Sequence, residues 1–161
     1  MQEGTEYTLE RQFQAPIEQV WRMWTDAKLL SEWYGPNVET VVHEFNAEPG
    51  GRWLNEWKMG DSSQYQRIDF VGVDAPSSLV YLMNSSNNDW EVVAMTMMPN
   101  WPKTVKTHVN LSEHDGGTKL SMVQYPVDCT EEEDAMFQQS IPHMDGGWAK
   151  GFEIIDGLLA K

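Results

Sequence analysis

Between Thr130 and Leu159, Phe137, Ile141, Met144, Trp148, Phe152, Ile155 and Leu159 recur at steps of three or four residues. That spacing lines one face of an α-helix with large apolar groups. Glu131, Glu132, Glu133, Lys150, Glu153 and Asp156 fall largely elsewhere and keep the remaining surface wet. Thr130 followed by Glu133 is a capping-box signature and marks the helix start. Two irregularities interrupt the pattern. Pro142 cannot donate to the helical ladder, so a kink there, or a second half that begins with Pro142 in its first turn, is expected. Gly146-Gly147, just before Trp148, removes side chains where the helix would pass close to a sheet or a bound molecule. A long apolar-faced helix needs an apolar surface to lie on, and the rest of the chain must supply it.

The preceding sequence reads mainly as strands. Tyr7, Leu9, Arg11 and Phe13 alternate with Thr8, Glu10 and Gln12. Pro16 suits the first turn of a helix carrying Ile17, Val20, Trp21 and Trp24, and Asp26 can cap a second short helix with Leu29, Leu30 and Trp33. Tyr34-Gly35-Pro36 stops that helix. Strands are then expected over 38–45, 53–58, 64–73, 79–84, 104–111 and 119–125, with 91–98 β-capable and rich in methionine, parted by turn-type clusters such as Glu48-Pro49-Gly50-Gly51 and Asp115-Gly116-Gly117. Consecutive strands with short turns imply an antiparallel sheet, hence an α+β class. The expected architecture is a strongly curved sheet of six or seven strands, two short helices after the first strand, and the long C-terminal helix as a lid. A length of 161 residues suits one domain spanning 1–161, with no repeat or linker to divide it.

Charge and composition narrow the partners. A formal charge of −14 repels phosphate backbones and anionic lipid, which argues against nucleic acid and membrane surfaces. No stretch approaches the length of apolar chain that spans a bilayer, and the N-terminus lacks a basic region followed by an apolar run. The single cysteine, Cys129, excludes a disulfide within the chain and fits a reducing compartment. A cytoplasmic location is the expectation.

Several ordered stretches carry a family resemblance. They are Phe13-Gln14-Ala15-Pro16 with Val20-Trp21 and Trp24-Thr25, Trp33-Tyr34-Gly35-Pro36, Pro49-Gly50-Gly51-Arg52-Trp53, Asn100-Trp101-Pro102, Gly116-Gly117-Thr118-Lys119-Leu120, and Gly147-Trp148. Together they cover nearly the whole chain. The sequence resembles the START-like superfamily, also called helix-grip or SRPBCC, and most of all the branch named after the activator of heat-shock protein 90 ATPase. The resemblance implies a single START-like domain whose bent sheet grips the C-terminal helix around an apolar cavity. It departs from the pattern at Pro142 and in the polar run Asn84 to Asp89 with the methionines beyond it. The superfamily spans lipid carriers, receptors, cyclases and cochaperone domains, so the fold does not assign an activity.

Trp53, Asn55 and Trp57 share one strand face, and Tyr81, Met83 and Met122 lie on neighbouring strands. Trp33 from the second helix, with Trp148 and Phe152 from the last, completes an aromatic and thioether set. Such residues offer flat, adaptable apolar area to a hydrophobic or aromatic ligand; equally, they can simply fill a core. Asn55 favours the pocket, because a buried amide needs partners that an apolar core does not supply. His108, mid-strand, is a candidate general base or hydrogen-bond donor if it faces inward, and Asp69 is a second acid-base candidate. The alternative for His108 is a solvent-facing or structurally bonded ring, and the alternation does not orient Asp69. Glu56 alternates with Trp53 and Trp57 and is expected to point outward. The four histidines and Cys129 show no metal-ligand spacing, there is no nucleophile elbow, and Gly50-Gly51 does not open a helix, so no metal or cofactor is expected.

Binding of a hydrophobic small molecule between sheet and helix, without catalysis, is therefore the first expectation. A cyclase- or dehydratase-like enzyme on a polyketide-type substrate and a chaperone-interacting protein are the alternatives. A weak homodimer through an edge strand is compatible with either.

Overall fold

The computed structural model describes residues 6–35, 38–95 and 98–160. Strand β1 (Tyr7–Phe13) is followed by helices α1 (Ile17–Thr25) and α2 (Ala27–Trp33). Six strands succeed them: β2 (Glu39–Phe45), β3 (Arg52–Met59), β4 (Ser62–Asp74), β5 (Ser78–Ser86), β6 (Thr104–His114) and β7 (Gly117–Pro126). Helix α3 (Glu131–Leu159) closes the chain. The sheet is antiparallel in the order β1-β7-β6-β5-β4-β3-β2. The α+β class, the two short helices and the long lid agree with expectation.

Local chemistry explains the boundaries. The Asp26 carboxylate accepts from the backbone N–H groups of Lys28 and Leu29 and starts α2. Asp115 and Gly116, at φ 50° and 79°, form the two-residue link between β6 and β7 that suits a twisted hairpin. Thr130 and Glu133 form the reciprocal capping box, with the Glu133 carboxylate accepting from the Thr130 N–H at 3.0 Å. Register shifts between Val42 and Glu44 and between Phe70 and Gly72 add a residue to one strand of each pair, which bends the sheet around its inner face.

Of the two outcomes expected at Pro142, the separate second half is corrected: Pro142 lies inside one continuous helix, exposed on the side away from the sheet. The β-capable stretch 91–98 forms no strand among the described residues, where 87–95 contributes the bridge Ser86–Val92 and a bond from the Val93 N–H to the Ser85 carbonyl at 3.0 Å. The edge of β5 that it would need is already paired with β6 from Ser78 to Asn84. Residues 96 and 97 lie outside the described part.

The inner face of the sheet carries alternate residues of every strand, and α3 lies across it. The helix is anchored at two places. Near its start, Phe137 packs with Tyr7 and Val105; near its end, Phe152 and Ile155 join the main core of Phe13, Trp24, Trp33, Trp53 and Tyr81. Between the anchors Ile141, Met144 and Trp148 are only half-buried, although they continue the same apolar stripe. Polar ties hold the helix to β1 as well. The Tyr7 hydroxyl donates to Asp145 at 2.6 Å, and Arg11 makes a two-pronged pair with Asp156 at 2.9 and 2.6 Å.

The cap also makes stability depend on acid. The bond from the Thr130 N–H, then the nearby Lys103 ammonium, hold the Glu133 carboxyl below its ordinary value of 4.5 despite burial. A carboxyl with a lowered folded pKa stabilises fully above its unfolded pKa and loses that contribution as pH falls through the folded one. Acid unfolding followed by circular dichroism should therefore begin below about pH 5, with Glu133→Gln less stable at neutral pH and less sensitive to acid. Thr130→Ala should lower unfolding free energy by about 1 kcal/mol in urea titrations.

Candidate functional site

Beneath the middle of α3, where the apolar stripe is left uncovered by the sheet, lies a cavity of about 470 Å³. That volume is within the range that holds small organic molecules. One wall is Trp33, Tyr34 and Gly35 at the end of α2, with Trp57 from β3. Gln66, Met83, Ser85, Val105 and Gln124 form the floor. The opposite wall is Met95, Met98 and Trp101, and the roof is Ser140, His143, Met144, Gly147, Trp148 and Gly151 from α3.

The aromatic wall is continuous. Tyr34 sits 5.3 Å from Trp57 and 6.4 Å from Trp148, centroid to centroid, and Trp148 stacks on Trp24 at 6.1 Å and Phe152 at 5.9 Å. Behind it, the Trp33 indole N–H donates to the Met23 carbonyl at 2.7 Å and fixes α2 against α1. Gly35 makes the wall possible. Its φ is +87°, and a Cβ there would stand 2.8 Å from Trp57 Cδ1 and 2.9 Å from Thr40 Oγ1. A second close approach is at Gly151, where a Cβ would meet Trp33 at 3.2 Å. At Gly146 and Gly147, by contrast, a Cβ would meet nothing within 4 Å. The glycine pair thus leaves open space, with Gly147 on the cavity border, and the close helix contact falls one turn later.

Polar groups on the floor are mostly engaged with one another. The Tyr34 hydroxyl donates to Gln66 Oε1 at 3.0 Å, and burial pushes the Tyr34 phenol well above its ordinary pKa. Gln124 Nε2 donates to Thr107 Oγ1 at 3.1 Å, and both groups also reach the Met83 sulfur, at 3.4 and 3.3 Å. Trp57 Nε1 and Asn55 Nδ2 are among the buried donors that find no acceptor within the described residues.

The sequence-chosen residues separate into three groups. Trp33, Trp57, Met83 and Trp148 line the cavity. Trp53, Asn55, Tyr81, Met122 and Phe152 do not; they are almost fully buried behind it, so core packing claims these five. Asn55 accepts from Trp53 Nε1 at 3.3 Å and stands in register with Gln66, which does border the space. His108 is on the outer face: the inward positions of β6 are Val105, Thr107, Val109 and Leu111, and the His108 ring bonds the Tyr125 hydroxyl at 3.1 Å. Burial and Lys106 lower its pKa there. Asp69 is bonded to Arg67 and Asn84, also outside. Glu56 points outward as expected, and its bonds from Ser63 and His43 hold it below the ordinary carboxyl pKa. Arg11, Arg52 and Arg67 each pair with a different carboxylate and do not converge. Among the described residues no group of three potential ligands could hold a metal, and no helix is long and apolar enough to cross a membrane.

Sequence reasoning missed Tyr34, Met95, Met98, Trp101, Met144 and Gln66 as lining residues. Met144 was legible, one turn before Trp148 on the apolar stripe. The others sit on the cavity wall only because a loop or a sheet bend brings them there.

The chain belongs to the family described as activator of Hsp90 ATPase homolog 1-like proteins, whose pattern matches residues 14–160. It is similar in fold to protein Ms6760 of Mycobacterium smegmatis, with 23% identity, a TM-score of 0.79, and coverage of 96% of this chain and 90% of that one. A Staphylococcus epidermidis protein solved in solution is similar over 99% of this chain and 92% of its own, at 23% identity and a TM-score of 0.81. DynU16, described as a putative protein in the dynemicin biosynthetic locus, shares the fold at 14% identity and a TM-score of 0.67; the match covers 98% of this chain and 48% of that one. No curated protein matches the sequence.

Substituting the hinge of the wall tests this geometry. Gly35→Ala must place a side chain at positive φ and against the Trp57 ring, and should cost about 1–3 kcal/mol of stability in denaturant titrations. Gly146→Ala, in open space within a helix, should be neutral or stabilising by up to about 1 kcal/mol.

Proposed function

We propose that this protein binds a mainly apolar, ring-containing small molecule in the cavity between the sheet and α3, as a binding protein without a catalytic group. One observation carries the reading. Five large apolar side chains of the lining, Trp57, Met83, Trp101, Met144 and Trp148, remain partly exposed and face a common space of about 470 Å³, while the core residues around them are closed. Leaving that area open to water forgoes roughly 25 cal/mol for each Å² that packing would have buried. An occupant recovers it. The two acid-base candidates, His108 and Asp69, sit on the other face of the sheet, which favours binding over reaction.

A cyclase-like reaction in the same cavity is the second reading, suggested by the locus in which DynU16 is described. It would require proton transfer by Tyr34 or His143, the lining groups able to exchange a proton without breaking an ion pair. The raised pKa of Tyr34 makes it a weak acid near neutrality.

Native mass spectrometry of the purified protein, followed by thermal shift against aromatic and aliphatic compounds, tests the binding reading. A co-purifying mass, or saturable stabilisation by one chemical class, is expected. Trp148→Ala should weaken that binding at least tenfold, whereas Trp21→Ala, outside the lining, should leave it unchanged. A folded Trp148→Ala protein with unaltered affinity would place the ligand elsewhere.

A further inference from the structure

The charge around the cavity narrows the ligand beyond "apolar". Rings line it on several sides: Trp33, Tyr34 and Trp57 on one wall, Trp101 opposite, and Trp148 above. Each indole or phenol face carries partial negative charge, which attracts cations and repels anions. Met83, Met95, Met98 and Met144 add polarisable thioethers. Among the described residues no carboxylate lines the cavity and one lysine does, Lys103, whose ammonium is already paired with the buried Glu133 at 3.1 Å. The remaining basic group, His143, stands on an exposed turn of α3.

Around this neutral, ring-walled space lies a chain of formal charge −14. Such a field raises the local concentration of cations and lowers that of anions. An anionic amphiphile, such as a fatty acid, would meet repulsion outside and no free cation inside. A compact ammonium is also disfavoured, because it would surrender strong hydration without gaining a carboxylate partner. A bulky cation whose charge is methylated or spread over rings is weakly hydrated and loses least on entry.

We infer that the cavity selects a bulky, weakly hydrated organic cation, of the quaternary-ammonium or delocalised aromatic class. The inference rests on the proposal that the cavity binds a small molecule, and it adds the sign of the ligand's charge. Selectivity comes from the aromatic lining of Trp57, Trp101 and Trp148 at short range and from the acidic surface at long range. An ion pair plays no part.

Three probes that share a 2-naphthylmethyl group test it: (2-naphthylmethyl)trimethylammonium, its isosteric uncharged analogue with carbon in place of nitrogen, and the smaller anion 2-naphthylacetate. The three are titrated by calorimetry at one pH and one ionic strength. The cation should bind about tenfold tighter than the uncharged analogue, and the carboxylate weakest of the three. Trp148→Leu and, independently, Trp101→Leu keep an apolar wall but remove a ring face, so each should narrow the cation's advantage several-fold while the uncharged probe changes less. Should one variant not fold, the other and the wild-type ratios still decide. An uncharged probe or carboxylate that binds as well as the cation overturns the charge selection and leaves small-molecule binding standing. Failure of all three probes, together with a negative thermal-shift screen, overturns both.

Discussion

The structure depends on how α3 is held: firmly at its two ends and loosely between them. Phe137 is buried against Tyr7 and Val105, and Phe152 with Ile155 is buried against Phe13 and Trp33. The bends at β2 and β4 curve the sheet away from the helix between these contacts. A helical rod anchored at its two ends across a concave surface leaves the middle unfilled, and that space is the cavity. The bonds Tyr7–Asp145 and Arg11–Asp156 tie the rod to one edge strand and keep the span in place.

Within that frame the two short helices do more than connect the sheet edges. They carry Trp24, Trp33 and Tyr34 to the side of the cavity, where the rings meet Trp148 of the lid and Trp57 of the sheet. The wall is thus assembled from three separate parts of the chain and stabilised by ring contacts and the Trp33–Met23 bond. Gly35 is the point where backbone must pass directly against an indole, and positive φ with no Cβ solves both demands. The Tyr34–Gln66 and Gln124–Thr107 pairs satisfy part of the buried polar groups on the floor, while Asn55 Nδ2 and Trp57 Nε1 stay without an acceptor.

Periodicity and capping chemistry exposed most of the fold. The three-and-four spacing of α3, the Thr130–Glu133 box, the Asp26 cap and the Asp115-Gly116 hairpin are local signals, and each produced the element it indicates. Where a local signal met competition, it lost. Residues 91–95 have strand composition, but β6 occupies the edge they would pair with. Pro142 removes one donor from a helix, yet the helix continues, because the anchors on either side act over its whole length and the proline faces solvent.

The sequence by itself determined which residues are apolar, how they repeat, and therefore the elements and their inward faces. It also determined the strong negative charge and, through ordered motifs, the family. Only the tertiary structure decided which inward residues close a core and which face a space. Trp53 and Trp57 occupy equivalent positions on one strand face, four residues apart, and strand period alone cannot distinguish them. The first is sealed under Tyr34, Phe45 and Tyr81, while the second borders the cavity beside Gly35. The same holds for His108, whose side of the sheet is set by the register of β6 against β5 and β7. Side-chain period fixes alternation but not phase; phase comes from packing, which is a property of the whole chain.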